Sequence, residues 1–163
     1  MTTDNPNFKD SLNQGISFGL TSAVITTLGL MIGLNSSTGS RSVVIGGILT
    51  IAIADAFSDA LGIHIAEESE NRHTEKEIWA STIFTFLAKF IFALTFLIPV
   101  AIFSLSLALI VSVIWGFLLL TILSCRIAKN QNEKWYKIVF EHLFIATVVI
   151  VTSNAAGKWI TRL

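Results

Sequence analysis

The chain has 163 residues, of which 53% are hydrophobic and 13% are charged, and its formal net charge is zero. Soluble domains carry about 25% charged residues, so a chain this apolar cannot cover a water-facing surface, and we expect its outer surface to contact lipid. The zero net charge and the lack of a basic tract argue against a nucleic-acid partner. The single cysteine, Cys125, cannot form an internal disulfide and is interpreted as a small helix residue.

The N-terminal residues 1–11 are polar and include Asp4 and Asp10. A cleavable signal peptide would begin with basic residues and continue into a short apolar core. This segment does neither, so we predict no cleaved leader and expect the first membrane span to act as the insertion signal.

Five segments are long and apolar enough to cross a hydrocarbon layer of about 30 Å, which takes about 20 residues of helix. The tract 78–125 is too long for one crossing, and we divide it at Pro99, because a proline disfavours continued helix. We therefore predict an all-α membrane protein with one domain over residues 1–163. Its predicted spans are 12–34, 42–66, 78–98, 100–125 and 135–159.

Lys and Arg residues are distributed unevenly between the two sides of these spans. Seven fall on the side of the N-terminus and three on the other, and the richer side is normally cytoplasmic. We therefore predict a multi-pass protein of the cell membrane with its N-terminus inside and its C-terminus outside. The seven inner residues are Lys9, Arg72, Lys76, Arg126, Lys129, Lys134 and Lys137, and the three outer ones are Arg41, Lys158 and Arg162.

Ionisable residues inside the spans are the most informative, because each is costly in hydrocarbon and usually faces a partner or a water-filled cavity. Asp55 and Asp59 are four residues apart in the second span, so they share one face of its helix. Two carboxylates at this spacing can bind a metal cation, or share a proton because of their mutual repulsion. A structural polar pair, satisfied by a neighbouring helix, is the alternative.

Lys89 lies in the third span at about the same depth as Asp55, and these two helices are expected to be antiparallel neighbours. We predict that Lys89 pairs with Asp55, Asp59 or both. The pair would be either a static salt bridge that fixes helix register or a competitor that yields to an entering cation or proton. The sequence leaves both interpretations open.

A second group of polar residues lies toward the predicted cytoplasmic face. His64 and Glu67 end the second span, and Glu141 and His142 follow the start of the fifth. Carboxylate and imidazole together can hold first-row divalent metals. We predict that these four residues form a cytoplasmic entrance for a cation, and that Glu141 is a metal ligand in addition to the two aspartates. A solvated, purely structural role is the alternative.

The first span carries two pairs of glycines at four-residue spacing, Gly15 with Gly19 and Gly29 with Gly33. Such pairs let helices approach closely. We expect a homodimer through this helix, with tight packing inside one subunit as the alternative interpretation.

The chain contains none of the Walker, HExxH or CxxC motifs that mark nucleotide or metal sites. The two aspartates lie on one helix, whereas an aspartyl-type dyad draws its acids from two elements. We therefore predict a protein that is not an enzyme and has no resident cofactor.

The chain resembles the vacuolar iron transporter family in its five spans and in two short motifs. One is the glycine-rich FGLTS of residues 18–22 in the first helix, and the other is AFSDALG of residues 56–62 in the second. The resemblance covers most of the chain. It implies a homodimer that exports ferrous iron or manganese from the cytosol by proton exchange, along a path between subunits lined by the first two helices.

Several positions depart from the family pattern. Phe18 stands where the family typically carries an aspartate, Asp59 where it carries a methionine, and Ile63 where it carries a glutamate. The cytosolic metal-binding insert of the family is missing, and Lys89 has no counterpart. Replacing a soft ligand by a carboxylate shifts the expected cargo from iron toward harder ions such as manganese, or toward protons.

The leading hypothesis is a proton-coupled exporter of a divalent cation, manganese or ferrous iron. Asp55 and Asp59 would bind cation or proton at mid-membrane, and Lys89 would be their internal counter-ion. One alternative is a non-transporting interaction or assembly protein that kept the scaffold. Another is a proton-coupled carrier of an organic solute.

Overall fold

The computed structural model describes residues 6–163, with side chains from Phe8 onward. The prediction that no leader is cleaved rests partly on residues 1–5, which lie outside this range.

Helices form all the regular secondary structure of residues 6–163. A single π-helical turn, Ile51–Asp55, continues one helix into the next without a break in the right-handed backbone. The α-helices are α1 (Pro6–Thr38), α2 (Arg41–Thr50), α3 (Ala56–Glu70), α4 (Glu75–Thr95), α5 (Leu97–Ile102), α6 (Leu105–Gln131) and α7 (Trp135–Ile160).

Five helical stretches within the described residues are long and apolar enough to cross a membrane, which is the architecture of a multi-pass membrane protein. The predicted all-α class and number of candidate spans are thereby confirmed. Most of the stretches extend a few residues past the predicted ends, because hydropathy marks the hydrocarbon part of a helix and not its polar continuation. They are Phe8–Thr38, Arg41–Glu70, Glu75–Ile102, Leu105–Gln131 and Trp135–Ile160.

The predicted break at Pro99 is wrong, because Pro99 lies inside α5 and the chain leaves the helical conformation only at Phe103 and Ser104. Pro99 is the third residue of α5, where backbone N–H groups have no partner within the helix, so a proline removes no hydrogen bond of α5 there. Phe103 and Ser104 have extended backbones, with ψ of 167° and 149°. The fourth stretch therefore begins at Leu105 and not at residue 100.

The charged segment after the second stretch is shorter than its sequence indicates. It narrows to residues 71–74, because α3 continues to Glu70 and α4 begins at Glu75. Asn71 ends α3 in the left-handed conformation, with φ of 53°. The N–H of Thr74 donates to Glu77 Oε2 at 2.9 Å, which is one half of a capping box that starts α4.

The described residues divide into two compact units, each with its own internal contacts. The first unit contains the part of α1 up to Ala23 together with residues 49–94. Gly15 and Gly19 bring α1 against the backbone of α4. A Cβ at Gly19 would lie 2.5 Å from the Thr85 carbonyl oxygen, and a Cβ at Gly15 would overlap the Ser81 carbonyl oxygen.

The second unit contains residues 24–48 together with residues 95–163, and within it α6 packs along α7. Gly29 leaves room for Val149, and the Gly33 carbonyl oxygen lies where a Cβ on Gly157 would be. The Ser36 hydroxyl donates to Asn154 Oδ1 at 2.6 Å. The glycine pairs of α1 in both units are therefore used for packing inside one chain, which is the alternative that the sequence left open.

The close approach at Gly15 can be tested by adding one methyl group. We expect Gly15→Ala to lower the stability of the detergent-solubilised protein by about 1–3 kcal/mol, because the new Cβ must displace the backbone of α4. Thermal unfolding measures the change. Gly46→Ala is the matched control, because a Cβ there meets no atom of the described residues within 4 Å. Equal effects of the two substitutions would contradict the close packing of α1 on α4.

Candidate functional site

Lys89 is among the largest completely buried side chains of the described residues. It lies on the face of α4 that also carries Ser81 and Thr85, at four-residue spacing, and all three side chains are inaccessible to solvent. Helical periodicity thus aligns one cation and two hydroxyls on the inner side of an otherwise apolar helix.

The Lys89 ammonium has three polar partners, all within the first unit. Its Nζ lies 2.5 Å from Asp59 Oδ2 and 2.8 Å from Ser22 Oγ, and it is also paired with Asp55 Oδ2. The predicted pairing of Lys89 with the two aspartates is therefore confirmed for both acids. An ammonium carries three N–H donors, and three acceptors satisfy all of them.

The local structure of the second stretch presents the two acids to Lys89. Asp55 is the last residue of the π turn and Asp59 is one turn further along α3. Ala56 follows Asp55 and Ala60 follows Asp59, and both alanines are buried. Small side chains at these positions allow α3 to approach its neighbours closely.

Access to the site is uneven. The Lys89 side chain has no exposed surface, whereas 18% of the Asp59 side chain and 35% of the Asp55 side chain are exposed. A shallow depression of about 360 Å³, lined by Thr50, Ala54, Asp55 and Ser58 among others, lies outside the more exposed acid. The Asp55 carboxylate can thus be approached from this face, and the ammonium cannot.

The charges of this cluster do not cancel. Two carboxylates and one ammonium carry a formal sum of −1 when all are ionised. In a low-dielectric interior such charges interact more strongly than in water, and each needs its partners. The cluster therefore favours a further positive charge near the exposed acid.

The predicted entrance residues on α3, His64 and Glu67, both contact side chains of α4. Glu67 is only 2% exposed, and its Oε2 accepts a hydrogen bond from the Ser81 hydroxyl at 2.6 Å. His64 Nδ1 lies 2.9 Å from Thr82 Oγ1, and its ring meets the edge of Trp79. Both predicted residues are thus close to the Lys89 helix, and Glu67 is buried against it.

The other two predicted entrance residues lie in the second unit. Glu141 is exposed on α7, while His142 Nδ1 lies 2.7 Å from Ser124 Oγ on α6. Neighbouring residues of a helix are turned about 100° from one another, so these two do not share a face. Among residues 8–163, no three His, Cys, Asp or Glu side chains form a group that could hold a metal ion. The structure thus places Asp55 and Asp59 together within the first unit, and Glu141 belongs to the second unit.

Sequence reasoning missed two residues of these clusters. Ser22 was not predicted as a partner of Lys89, and its bond to Lys89 depends on the close packing permitted by Gly19. Ser81 precedes Lys89 by eight residues, with Thr85 midway. That four-residue spacing of polar side chains was the available signal for Ser81.

Comparisons with known proteins add no identification. A scan against protein-family models finds no matching family, and a search of curated proteins finds no match.

Removing the buried cation should uncover the repulsion between the two acids. We expect Lys89→Met to lower stability by about 3–5 kcal/mol, because two carboxylates are left without a buried partner. Thermal unfolding in detergent measures the loss, and Lys76→Met, at an exposed position of α4, is the matched control. The triple variant Asp55→Asn, Asp59→Asn, Lys89→Met should recover much of the stability. Unchanged stability in Lys89→Met would show that the ion pairs contribute nothing.

Proposed function

We propose that this protein is a homodimeric transporter that exports a divalent cation, manganese or ferrous iron, in exchange for protons. The observation that carries the proposal is the position of Lys89 Nζ between the carboxylates of Asp55 and Asp59. That position is the one a cation bound by both acids would occupy. Lys89 therefore acts as an internal substitute for the cargo when the site is empty.

In the proposed transport cycle, Lys89 and the cargo compete for the carboxylates of Asp55 and Asp59. A divalent cation reaches Asp55 from the depression on the outer face of the helix, because this acid is the more exposed. Carboxylate oxygens are hard ligands and suit manganese better than softer metals. Adding two positive charges changes the formal sum of the cluster from −1 to +1. Protons that leave the cluster compensate for the added positive charge. The return of Lys89 to the two carboxylates then releases the cargo.

The orientation and membrane of the proposal come from charge distribution and the resemblance. The excess of Lys and Arg on the side of the N-terminus supports a cytoplasmic N-terminus and an outer C-terminus in the cell membrane. The resemblance to the vacuolar iron transporter family supports export and a path between subunits.

A face of the second stretch supports the homodimer better than the glycines of α1, which are used internally. Thr50, Ala54, Ser58 and Gly62 follow one another at four-residue spacing, and all are exposed. Small residues at this spacing let a second helix approach closely. Asp55 borders this face, and a carboxylate exposed at membrane depth is costly unless protein or water covers it. We therefore propose that the second copy packs here.

One observation favours a competing function. Lys89 has no exposed surface and its three donors are all engaged, which is also what a permanent structural bridge requires. A non-transporting assembly protein would keep this bridge without ever opening it. The two functions differ in whether Asp59 is needed for flux or only for folding.

Flux through proteoliposomes separates these functions. With an imposed pH gradient, we expect uptake of manganese or ferrous iron by the wild type and at least a tenfold lower rate in Asp59→Asn, because the site loses one negative charge. Asp10→Asn, an exposed position near the start of α1, is the matched control and should transport like the wild type. A folded, dimeric wild type that moves neither metal would overturn the transporter proposal and favour the assembly function.

Orientation is tested by single cysteines in a Cys125→Ala background, since the chain has no other cysteine. A membrane-impermeant maleimide applied to intact cells should label cysteines at Ser40 and Leu163. Cysteines at Asn71 and Asn132 should react only after the membrane is opened. The reverse pattern would contradict the predicted topology.

A further inference from the structure

A row of polar side chains connects two parts of the first unit. Ser81, Thr85 and Lys89 follow one another along α4, and all three are fully buried. Facing the ends of this row on the antiparallel α3 are Glu67, bonded to Ser81, and Asp59, bonded to Lys89. The two acids are eight residues apart, which is about 12 Å along a helix.

Glu67 is incompletely satisfied in this row. One of its carboxylate oxygens, Oε2, accepts the hydrogen bond from Ser81. The other, Oε1, is buried and has no hydrogen-bond partner among the described residues. Ser11 on α1, one helical turn before the Gly15 that packs against Ser81, also has a buried hydroxyl oxygen without a partner in that part of the chain. Orphaned oxygens of this kind are uncommon in folded proteins and call for a ligand, water or ion.

The ionisable side chains on the surrounding helices do not supply a counter-charge. Lys89 is engaged by its own two acids, and His64 on α3 is bonded to Thr82. Glu77 on α4 is itself acidic and accepts from the Thr74 N–H. Lys9 and Asp10 on α1 and Lys76 on α4 are exposed. A buried carboxylate otherwise requires a proton, a cationic partner or a metal ion.

We propose that Glu67 Oε1, with the hydroxyl oxygen of Ser81, is an inner binding station for the divalent cation, separate from the Asp55–Asp59 site. The proposal rests on the transport function proposed above and names a second position on the cation's path. Carboxylate and hydroxyl oxygens are hard ligands that suit such an ion. One carboxylate binds more weakly than two, and a transit site must release its ion. Thr85, whose hydroxyl bonds to the Gly15 carbonyl oxygen at 3.3 Å, lies between this station and Lys89.

Binding of Mn²⁺ to the purified protein, followed by electron paramagnetic resonance, tests the station without requiring transport. We expect Glu67→Gln to bind one Mn²⁺ fewer than the wild type, or to bind it at least tenfold more weakly. Glutamine can still accept the Ser81 hydrogen bond, so the fold should persist. Glu68→Gln is the matched control, because Glu68 is the adjacent acid and is exposed. Identical titrations of Glu67→Gln and wild type, or a wild type that binds no Mn²⁺, would overturn the station.

A second variant keeps the test decisive if Glu67→Gln does not fold. Ser81→Ala retains the carboxylate and removes one hydroxyl ligand, so Mn²⁺ affinity should fall severalfold. If Ser81 only supports the fold, the melting temperature should fall and Mn²⁺ affinity should not change. If flux depends on Asp59 but Glu67→Gln binds Mn²⁺ fully, the station is rejected and the transport function stands. If Mn²⁺ binding depends on Glu67 but the wild type shows no metal flux, the transport function is rejected and the station stands.

Discussion

Placing a lysine ammonium inside an apolar helical protein sets the conditions that the rest of the first unit must meet. The idealised cost of moving such an ion from water into a medium of low dielectric is of order 20 kcal/mol, and several kcal/mol remain after relaxation. Asp55, Asp59 and Ser22 offset this cost only by reaching the ammonium together. Three helices must therefore converge on one atom, which explains why α1 needs glycines where it crosses α4.

The same convergence makes the site asymmetric. The cation is sealed inside, whereas the acid on its outer side remains partly open at the face of a helix with small residues. A symmetric, fully enclosed bridge would give rigidity and nothing else. An acid that is both paired and approachable can exchange one positive partner for another, and this property connects the packing of the site to the transport that we propose.

Much of this arrangement could be predicted from local sequence features. Hydropathy gave the number of candidate spans, and matching depth on neighbouring helices predicted the partners of Lys89. The helix break was wrongly predicted at Pro99, because a proline near the start of a helix removes no helical hydrogen bond. Sequence does not reveal where a helix restarts. Glu67 was predicted to line a cytoplasmic entrance, and its burial was not predicted. Its burial follows from the series Asp55, Asp59, Ile63 and Glu67, in which the apolar Ile63 concealed the continuing face.

The donor count at Lys89 also decides which basic residue can occupy this position. A guanidinium has five N–H groups in a flat, rigid fork, whereas the cavity offers three acceptors arranged around a point. An arginine would preserve the charge, but its longer, planar group would displace the three oxygens from their positions around Nζ. Replacement of Lys89 by arginine is therefore expected to disrupt this site. Related chains are expected to keep the two aspartates and the lysine together, or to lose all three.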